Sequence, residues 1–161
     1  AAAENPAPAP AAAAAHEESA NRPKSYERLV AEGDHAIENG QTAKAQKLYD
    51  EALRLQPSGP GAITGSAYVL LDRQKPLAAI DTFKRALANS PGFPQALFGL
   101  GEAYRLEGQP VQAVAAYKRY LESAPTGADA PAARRQIAEL ESHGAPRGPQ
   151  PPPTPVEPPP Q

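Results

Sequence analysis

The sequence of 161 residues contains no cysteine, methionine or tryptophan. Without cysteine, a disulfide framework, thiol catalysis and cysteine-ligated metal are excluded. Without methionine, Ala1 is not a translation start, so we expect a processed product or an excised piece of a larger protein. The many Ala and Pro residues are typical of a GC-rich bacterial source, but neither feature identifies the compartment, which stays open.

The sequence also lacks an excess of one charge and lacks long apolar runs. Its 16 Lys and Arg residues against 18 Asp and Glu residues give a net charge of −2. Such a balance creates no field that gathers a phosphate backbone, so no nucleic-acid partner is predicted. The longest strongly apolar stretch is Tyr68–Leu71, and crossing a bilayer takes roughly 18 residues. We therefore predict no direct membrane insertion.

Residues that could support catalysis are scattered. The three histidines, His16, His35 and His143, have no metal-ligand spacing. Gly59 and Gly61 follow Pro57 in a turn rather than a strand, which argues against a phosphate-binding loop. We therefore predict no enzyme, no metal site and no cofactor.

The 21 prolines are concentrated near the two ends of the sequence. Residues 1–23 and 144–161 contain mainly Ala, Pro, Gly and Gln and almost no large apolar side chains. Such segments bury too little surface to offset the entropy lost on ordering, so both are predicted to be disordered. The predicted folded domain spans residues 24–143.

Within that domain, one phrase occurs three times at a spacing of 34 residues. It contains a small residue, an aromatic residue four positions later, and a proline after a further eight: Ala45, Tyr49 and Pro57; Ala79, Phe83 and Pro91; Ala113, Tyr117 and Pro125. Steps of three and four residues stay on one helical face, and proline ends a helix. A second amphipathic segment and a Gly- or Pro-containing turn precede each phrase. The repeating unit is therefore helix, turn, helix.

The sequence resembles the tetratricopeptide repeat family, and its third unit matches best. That unit carries the family's pattern residues Leu97, Leu100, Gly101, Tyr104, Gly108, Ala113, Tyr117 and Pro125. The resemblance implies an all-α, right-handed superhelical array of antiparallel helix pairs, with repeats at about 26–59, 60–93 and 94–127. It also implies close helix approach at Gly33, Ala67 and Gly101. The sequence departs from the pattern at Glu32, Gln74 and Tyr120.

Residues 129–142 predict one further helix that covers the last repeat. Asp129 is suited to cap its start, and Pro131 lies in its first turn. Its apolar residues Ala133, Ile137 and Leu140 form a narrow stripe, as in a helix that packs on one side and faces water on the other. About seven helices are therefore expected.

The resemblance places a partner-binding groove on the concave face, lined by first-helix side chains that do not enter the core. Val30, Tyr68 and Phe98 are interpreted as its apolar strip, with Asp34 and Glu102 beside it; packing of Val30 and Phe98 under neighbouring helices is the alternative. The predicted site comprises Val30, Asp34, Ile37, Thr64, Tyr68, Leu71, Phe98, Glu102 and Arg105, and a wider set adds Glu27, Glu38, Asp72, Gln95 and Leu106.

These residues indicate a protein-interaction module, an adaptor or scaffold, that binds a peptide or helix. Family members that clamp acidic chaperone tails use basic groove residues, so a neutral or mildly basic partner fits this groove better. Two alternatives remain: the Pro-rich tail is itself a ligand for a partner domain, or the helices are a self-associating spacer. A monomer is favoured and a dimer is possible.

Overall fold

A computed structural model describes residues 25–144 of the chain. The predictions for residues 1–23 and for the Pro-rich tail after residue 144 lie outside this range. Within it the chain forms seven α-helices and no strand: α1 (Tyr26–Glu38), α2 (Thr42–Leu55), α3 (Pro60–Asp72), α4 (Pro76–Asn89), α5 (Pro94–Leu106), α6 (Pro110–Ser123) and α7 (Ala130–Gly144). The predicted all-α fold and the predicted number of helices are confirmed.

The helices pack as successive hairpins. Helix α1 packs on α2, α3 on α4, and α5 on α6, and each hairpin also packs on the next through α2 with α3 and α4 with α5. The first helices of the hairpins contact one another as well, α1 with α3 and α3 with α5. One face of the array is therefore built from α1, α3 and α5. None of the helices in residues 25–144 has the length and apolar character that crossing a membrane requires.

The turn within each hairpin uses one residue in the left-handed conformation. Gly40 and Gly108 have φ of 69° and 72°, and the same position in the second repeat is Gln74, with φ of 58°. Glycine takes this conformation without steric cost, whereas glutamine does not. The second turn thus keeps the shape of the other two at some cost in stability.

Prolines begin four of the helices, including α4 at Pro76 and α6 at Pro110, as the sequence predicts. A proline there loses no helical hydrogen bond, because the first amides of a helix have no partner within it. Helix α1 begins differently, since the Ser25 hydroxyl accepts a hydrogen bond from the Arg28 amide at 3.3 Å.

Each second-helix aromatic ring is wedged between small residues. Tyr49, Phe83 and Tyr117 are at most 1% exposed, which confirms their predicted place in the core. A Cβ added at Gly33 would lie 2.5 Å from the Tyr49 ring, and one at Gly101 would lie 2.6 Å from the Tyr117 ring. These glycines let the paired helices approach, as the family resemblance implies.

Helix α7 continues the 34-residue pattern into the start of a fourth unit. Ala130 and Ala133 follow Ala96 and Gly99 by 34 residues, and both are buried. The helix begins directly after Asp129, whose carbonyl accepts a hydrogen bond from the Ala133 amide at 2.8 Å. Its packing on α6 covers the last repeat.

Tyr120, a departure from the family pattern, has a structural role at this junction. Its ring is 2% exposed, and its hydroxyl accepts a hydrogen bond from the Asp129 amide at 3.1 Å. The larger side chain thus joins the end of α6 to the start of α7.

Candidate partner-binding groove

Two depressions that share residues run along the face built from the first helices, and together they are called the groove here. The first, of about 440 Å³, is lined by Val30, Asp34, Glu38, Gly61, Thr64, Gly65, Tyr68, Phe93 and Gln95. The second, of about 460 Å³, is lined by Asp34, Ile37, Glu38, Tyr49, Tyr68, Phe98 and Asp129. Since Asp34, Glu38 and Tyr68 line both, the depressions are continuous.

The structure brings six of the nine predicted site residues together in this groove: Val30, Asp34, Ile37, Thr64, Tyr68 and Phe98. The other three, Leu71, Glu102 and Arg105, do not line either depression. Leu71 is partly buried against the core, while Glu102 and Arg105 pair with each other.

Two repeat registers supply the apolar strip. Val30, Thr64 and Phe98 are spaced by 34 residues, and Tyr68 belongs to the neighbouring register, between Asp34 and Glu102. The strip therefore changes register in the middle repeat. It does so because that repeat has a threonine where its neighbours have apolar side chains.

Aromatic packing fixes the positions of Tyr68 and Phe98. The Tyr68 ring meets Phe83 edge to face at a centroid distance of 5.2 Å, and its hydroxyl donates to the Gln95 carbonyl at 3.0 Å. Phe98 lies 5.7 Å from the Tyr117 ring and 5.5 Å from the Tyr120 ring. Both groove aromatics are thus partly packed on the core while still lining the groove. Anchors held in this way lose little conformational entropy when they bind a partner.

Asp34 lies over a buried tyrosine. Its Oδ1 accepts a hydrogen bond from the Tyr49 hydroxyl at 2.7 Å, so the buried phenol has a partner. Although the residue as a whole is solvent-exposed, burial of the carboxyl raises the pKa of Asp34, the hydrogen bond from Tyr49 opposes this, and the charge of Glu38 adds to it. Burial and the nearby carboxylate also raise the pKa of Tyr49. The carboxylate of Asp34 is therefore partly desolvated.

The equivalent carboxylate of the third repeat has a cation beside it. Glu102 accepts a hydrogen bond from Tyr117, and its Oε2 lies 2.7 Å from Nη2 of Arg105. The hydrogen bond to Glu102 raises the pKa of Arg105, while partial burial opposes the rise. The residue 34 positions earlier than Arg105 is Ile37. Asp34 thus has no arginine at the position that balances Glu102.

Sequence reasoning did not place three of the lining residues in the groove. Tyr49 was assigned to the core, Asp129 to the cap of α7, and Phe93 to no role, yet all three line a depression. The spacing could have identified Asp129, because it follows Gln95 of the wider predicted set by 34 residues. No comparable signal marks Tyr49, whose ring is in the core while its hydroxyl reaches the groove.

Thr64 is the buried polar residue of the groove. It is 4% exposed, and its hydroxyl oxygen has no hydrogen-bond partner among the described residues. Burying a hydroxyl without a partner costs about 1–3 kcal/mol in protein mutational data. This cost is borne at a residue that lines the first depression.

A separate depression of about 420 Å³ lies on the second-helix side, between α4 and α6, with Leu87, Leu100 and Tyr104 among its lining residues. Lys84 and Arg119 also line it, and the Lys84 ammonium lies 5.6 Å from the centre of the Tyr104 ring. Both cations are exposed, in agreement with their predicted outward position. This surface is basic where the groove is acidic.

The solved structures to which the chain is similar are helical repeat domains. The Sgt2 TPR domain from Aspergillus fumigatus is 25% identical, with a TM-score of 0.69 over 82% of this chain and 88% of that one. The first TPR of Spaghetti (RPAP3), bound to the HSP90 peptide SRMEEVD, is 20% identical, with a TM-score of 0.66 over 75% and 94%. The Yersinia enterocolitica translocator chaperone SycD is 12% identical, with a TM-score of 0.67 over 74% and 94%.

Comparison with curated protein sequences gives no match. The family model described as Tetratricopeptide repeat matches twice, over residues 30–92 and 64–128. These matches overlap and together span most of the described helices, in the register found from the sequence. The chain belongs to the tetratricopeptide repeat family.

Proposed function

We propose that this chain is a protein–protein interaction module, an adaptor or scaffold, which binds a peptide or partner helix in the groove. The observation that carries the proposal is the continuity of the two depressions, which present partly exposed Val30, Tyr68 and Phe98 beside carboxylates. Apolar anchors with a polar rim are typical of peptide-binding surfaces. No enzymatic activity, metal or cofactor forms part of the proposal.

The charge of the groove favours a neutral or mildly basic partner. Asp34, Glu38 and Asp129 line it, and none of the described lining residues is lysine or arginine. The Spaghetti (RPAP3) domain is bound to the peptide SRMEEVD, which contains three carboxylate side chains. An equally acidic peptide would be repelled by this groove, because like charges brought together in a partly desolvated site are unfavourable.

The proposal is tested by selecting binders from a random twelve-residue peptide library and mapping them on the isotope-labelled protein by amide chemical shifts. We expect the largest shifts in α1, α3 and α5. The double variant Tyr68→Ala plus Phe98→Ala should weaken binding at least about tenfold, as loss of buried aromatic anchors does. Circular dichroism must show that the variant keeps its helical content.

The matched control is Leu77→Ala plus Val111→Ala. These residues of α4 and α6 are 60% and 78% exposed, so the control also removes two apolar side chains but leaves the groove intact. Its affinity should equal that of the unchanged protein. Equal affinity for the groove variant, or shifts concentrated around Lys84 and Arg119, would refute the groove as the binding surface.

Two other proposals from the sequence have their own tests. Light scattering at micromolar concentration should report a monomer, whereas a dimer would support self-association. Deletion of residues 144–161 should leave partner binding unchanged if the groove is the binding element. Loss of binding on deletion would support the Pro-rich tail as a ligand instead.

A further inference from the structure

The acidity of the groove is concentrated at the end built by the first repeat. Asp34 and Glu38 of α1 line both depressions, and Asp129, at the start of α7, lines the second together with them. The third-repeat carboxylate Glu102 lies outside both depressions and pairs with Arg105. The uncompensated acidic side chains therefore gather around one place, next to Tyr68.

Hydrogen bonds within the chain leave acceptor capacity at this place. The Tyr49 hydroxyl donates to Oδ1 of Asp34, and Oδ2 has no hydrogen-bond partner among the described residues. Glu38 faces only the His35 ring, at 3.6 Å, and both of these side chains are more than three-quarters exposed. A carboxylate accepts several hydrogen bonds, so Asp34 and Glu38 are both able to receive further N–H donors.

A second observation at the same place points to a ligand. The hydroxyl of Thr64, 96% buried by its 4% exposure, has no partner within the described chain, and Thr64 lines the depression that Asp34 and Glu38 also line. An orphaned buried hydroxyl in a groove is stabilised when a bound group supplies the missing hydrogen bond.

The same depression has aromatic and aliphatic walls. Tyr68 and Phe93 line it with Val30, so apolar surface adjoins the two carboxylates of α1. A lysine or arginine side chain has this composition, with an apolar stem and a charged end that carries several donors. Cations are also attracted to the faces of aromatic rings.

We propose that the first depression is a subsite for one cationic side chain, lysine or arginine, of the bound partner peptide. The stem lies against Tyr68 and Val30, and the charged end reaches Asp34 and Glu38, with Thr64 as a further partner. This proposal rests on the proposed function of the groove and adds the residue that the groove selects.

The chain itself provides the variant that tests the subsite. Ile37→Arg places an arginine three residues after Asp34, as Arg105 is placed three residues after Glu102. The third repeat accommodates an arginine there with its side chain 35% exposed, so the variant is expected to fold. Its guanidinium should occupy the acceptor that the partner's cation would otherwise use.

The experiment repeats the peptide selection on four proteins: the unchanged chain, Ile37→Arg, Asp34→Asn plus Glu38→Gln, and the control Asp81→Asn. Asp81 is an exposed carboxylate of α4 outside the groove, so the control removes a charge without touching the subsite. Peptides selected on the unchanged chain and on the control should share a lysine or arginine at one position. Replacing that residue by norleucine or citrulline should weaken binding to both at least about tenfold.

On the two groove variants the preference for a basic residue should disappear, while apolar positions of the selected peptides persist. Binders that map to the groove without a basic preference, or with the same preference on all four proteins, would overturn the subsite and leave the proposed function standing. Failure to select any peptide that maps to the groove would overturn both. Separate norleucine and citrulline comparisons show whether ammonium or guanidinium is preferred.

Discussion

The first and third repeats hold a tyrosine under a carboxylate, whereas the second repeat holds a phenylalanine under a tyrosine. Tyr49 donates to Asp34 and Tyr117 to Glu102, across a spacing of 15 residues in each case. At the same positions the middle repeat has Phe83, whose ring instead meets the ring of Tyr68. A buried phenol requires an acceptor, and a phenylalanine does not. The residue facing the groove therefore depends on the core residue beneath it.

The two outer repeats then differ from each other in charge. Arg105 pairs with Glu102, but Ile37 stands at the equivalent position beside Asp34. One tyrosine–carboxylate pair is thus balanced within the chain, and the other is open to a partner. The repeat architecture is the same at both ends, and a single side chain changes what each end can bind.

The largest expected effect concerns the glycines that face the buried tyrosines. Gly33→Ala and Gly101→Ala would each force a methyl group against a rigid ring. Overpacking costs about 1–3 kcal/mol, which outweighs the gain of about 1 kcal/mol in helix propensity. We expect each variant to lower the free energy of unfolding in urea by about 1–2 kcal/mol.

The middle repeat supplies the control for this prediction, because Ala67 already occupies that position next to Phe83. Ala67→Gly should also destabilise, by about 1 kcal/mol, through lost helix propensity and packing. If the glycine variants proved more stable than the unchanged protein, the two outer tyrosine sites would not be tighter than the middle site.

The next effect concerns the turn of the second repeat. Gln74 adopts the left-handed conformation that Gly40 and Gly108 adopt in the other two. Gln74→Gly should raise the free energy of unfolding by about 1 kcal/mol, since glycine is unstrained there. Gly108→Gln should lower it by a similar amount. Opposite signs in these two measurements are the required result, and equal signs would contradict it.

The smallest effect distinguishes the two outer carboxylates. Burial raises the pKa of Asp34 in the folded state, so the folded protein binds more protons than the unfolded chain as the pH rises through the aspartate range, and stability falls there. Asp34→Asn removes this loss and should raise the melting temperature at pH 7, with the gain vanishing in acid.

Glu102→Gln is the matched change in the third repeat. It removes the charge that pairs with Arg105, and the two side chains are only 22% and 35% exposed, so the melting temperature at pH 7 should fall slightly. Thermal melts of both variants from pH 3 to pH 8 provide the comparison. A fall for Asp34→Asn at every pH would show that the charged hydrogen bond with Tyr49 outweighs the desolvation of the carboxylate.

Much of this architecture could be predicted from the sequence, because its determinants are local and repeat. The spacing of Ala45, Tyr49 and Pro57 and its two copies follows from helix periodicity and helix termination. The buried aromatics, the proline helix starts and the extra helix after Pro125 are confirmed on that basis. Most of the groove residues could be predicted for the same reason, since the repeat register carries one position to the next.

The sequence by itself determined the helix pairs, their 34-residue register and the aromatic core. Only the tertiary structure decided that Asp129 shares a depression with Asp34, 95 residues earlier, that Arg105 pairs with Glu102 outside it, and that Thr64 has no partner. The physical reason is that periodicity assigns a residue to a helix face. Distances across the groove depend instead on how the successive hairpins stack, and that stacking is set by packing between helices distant in the chain.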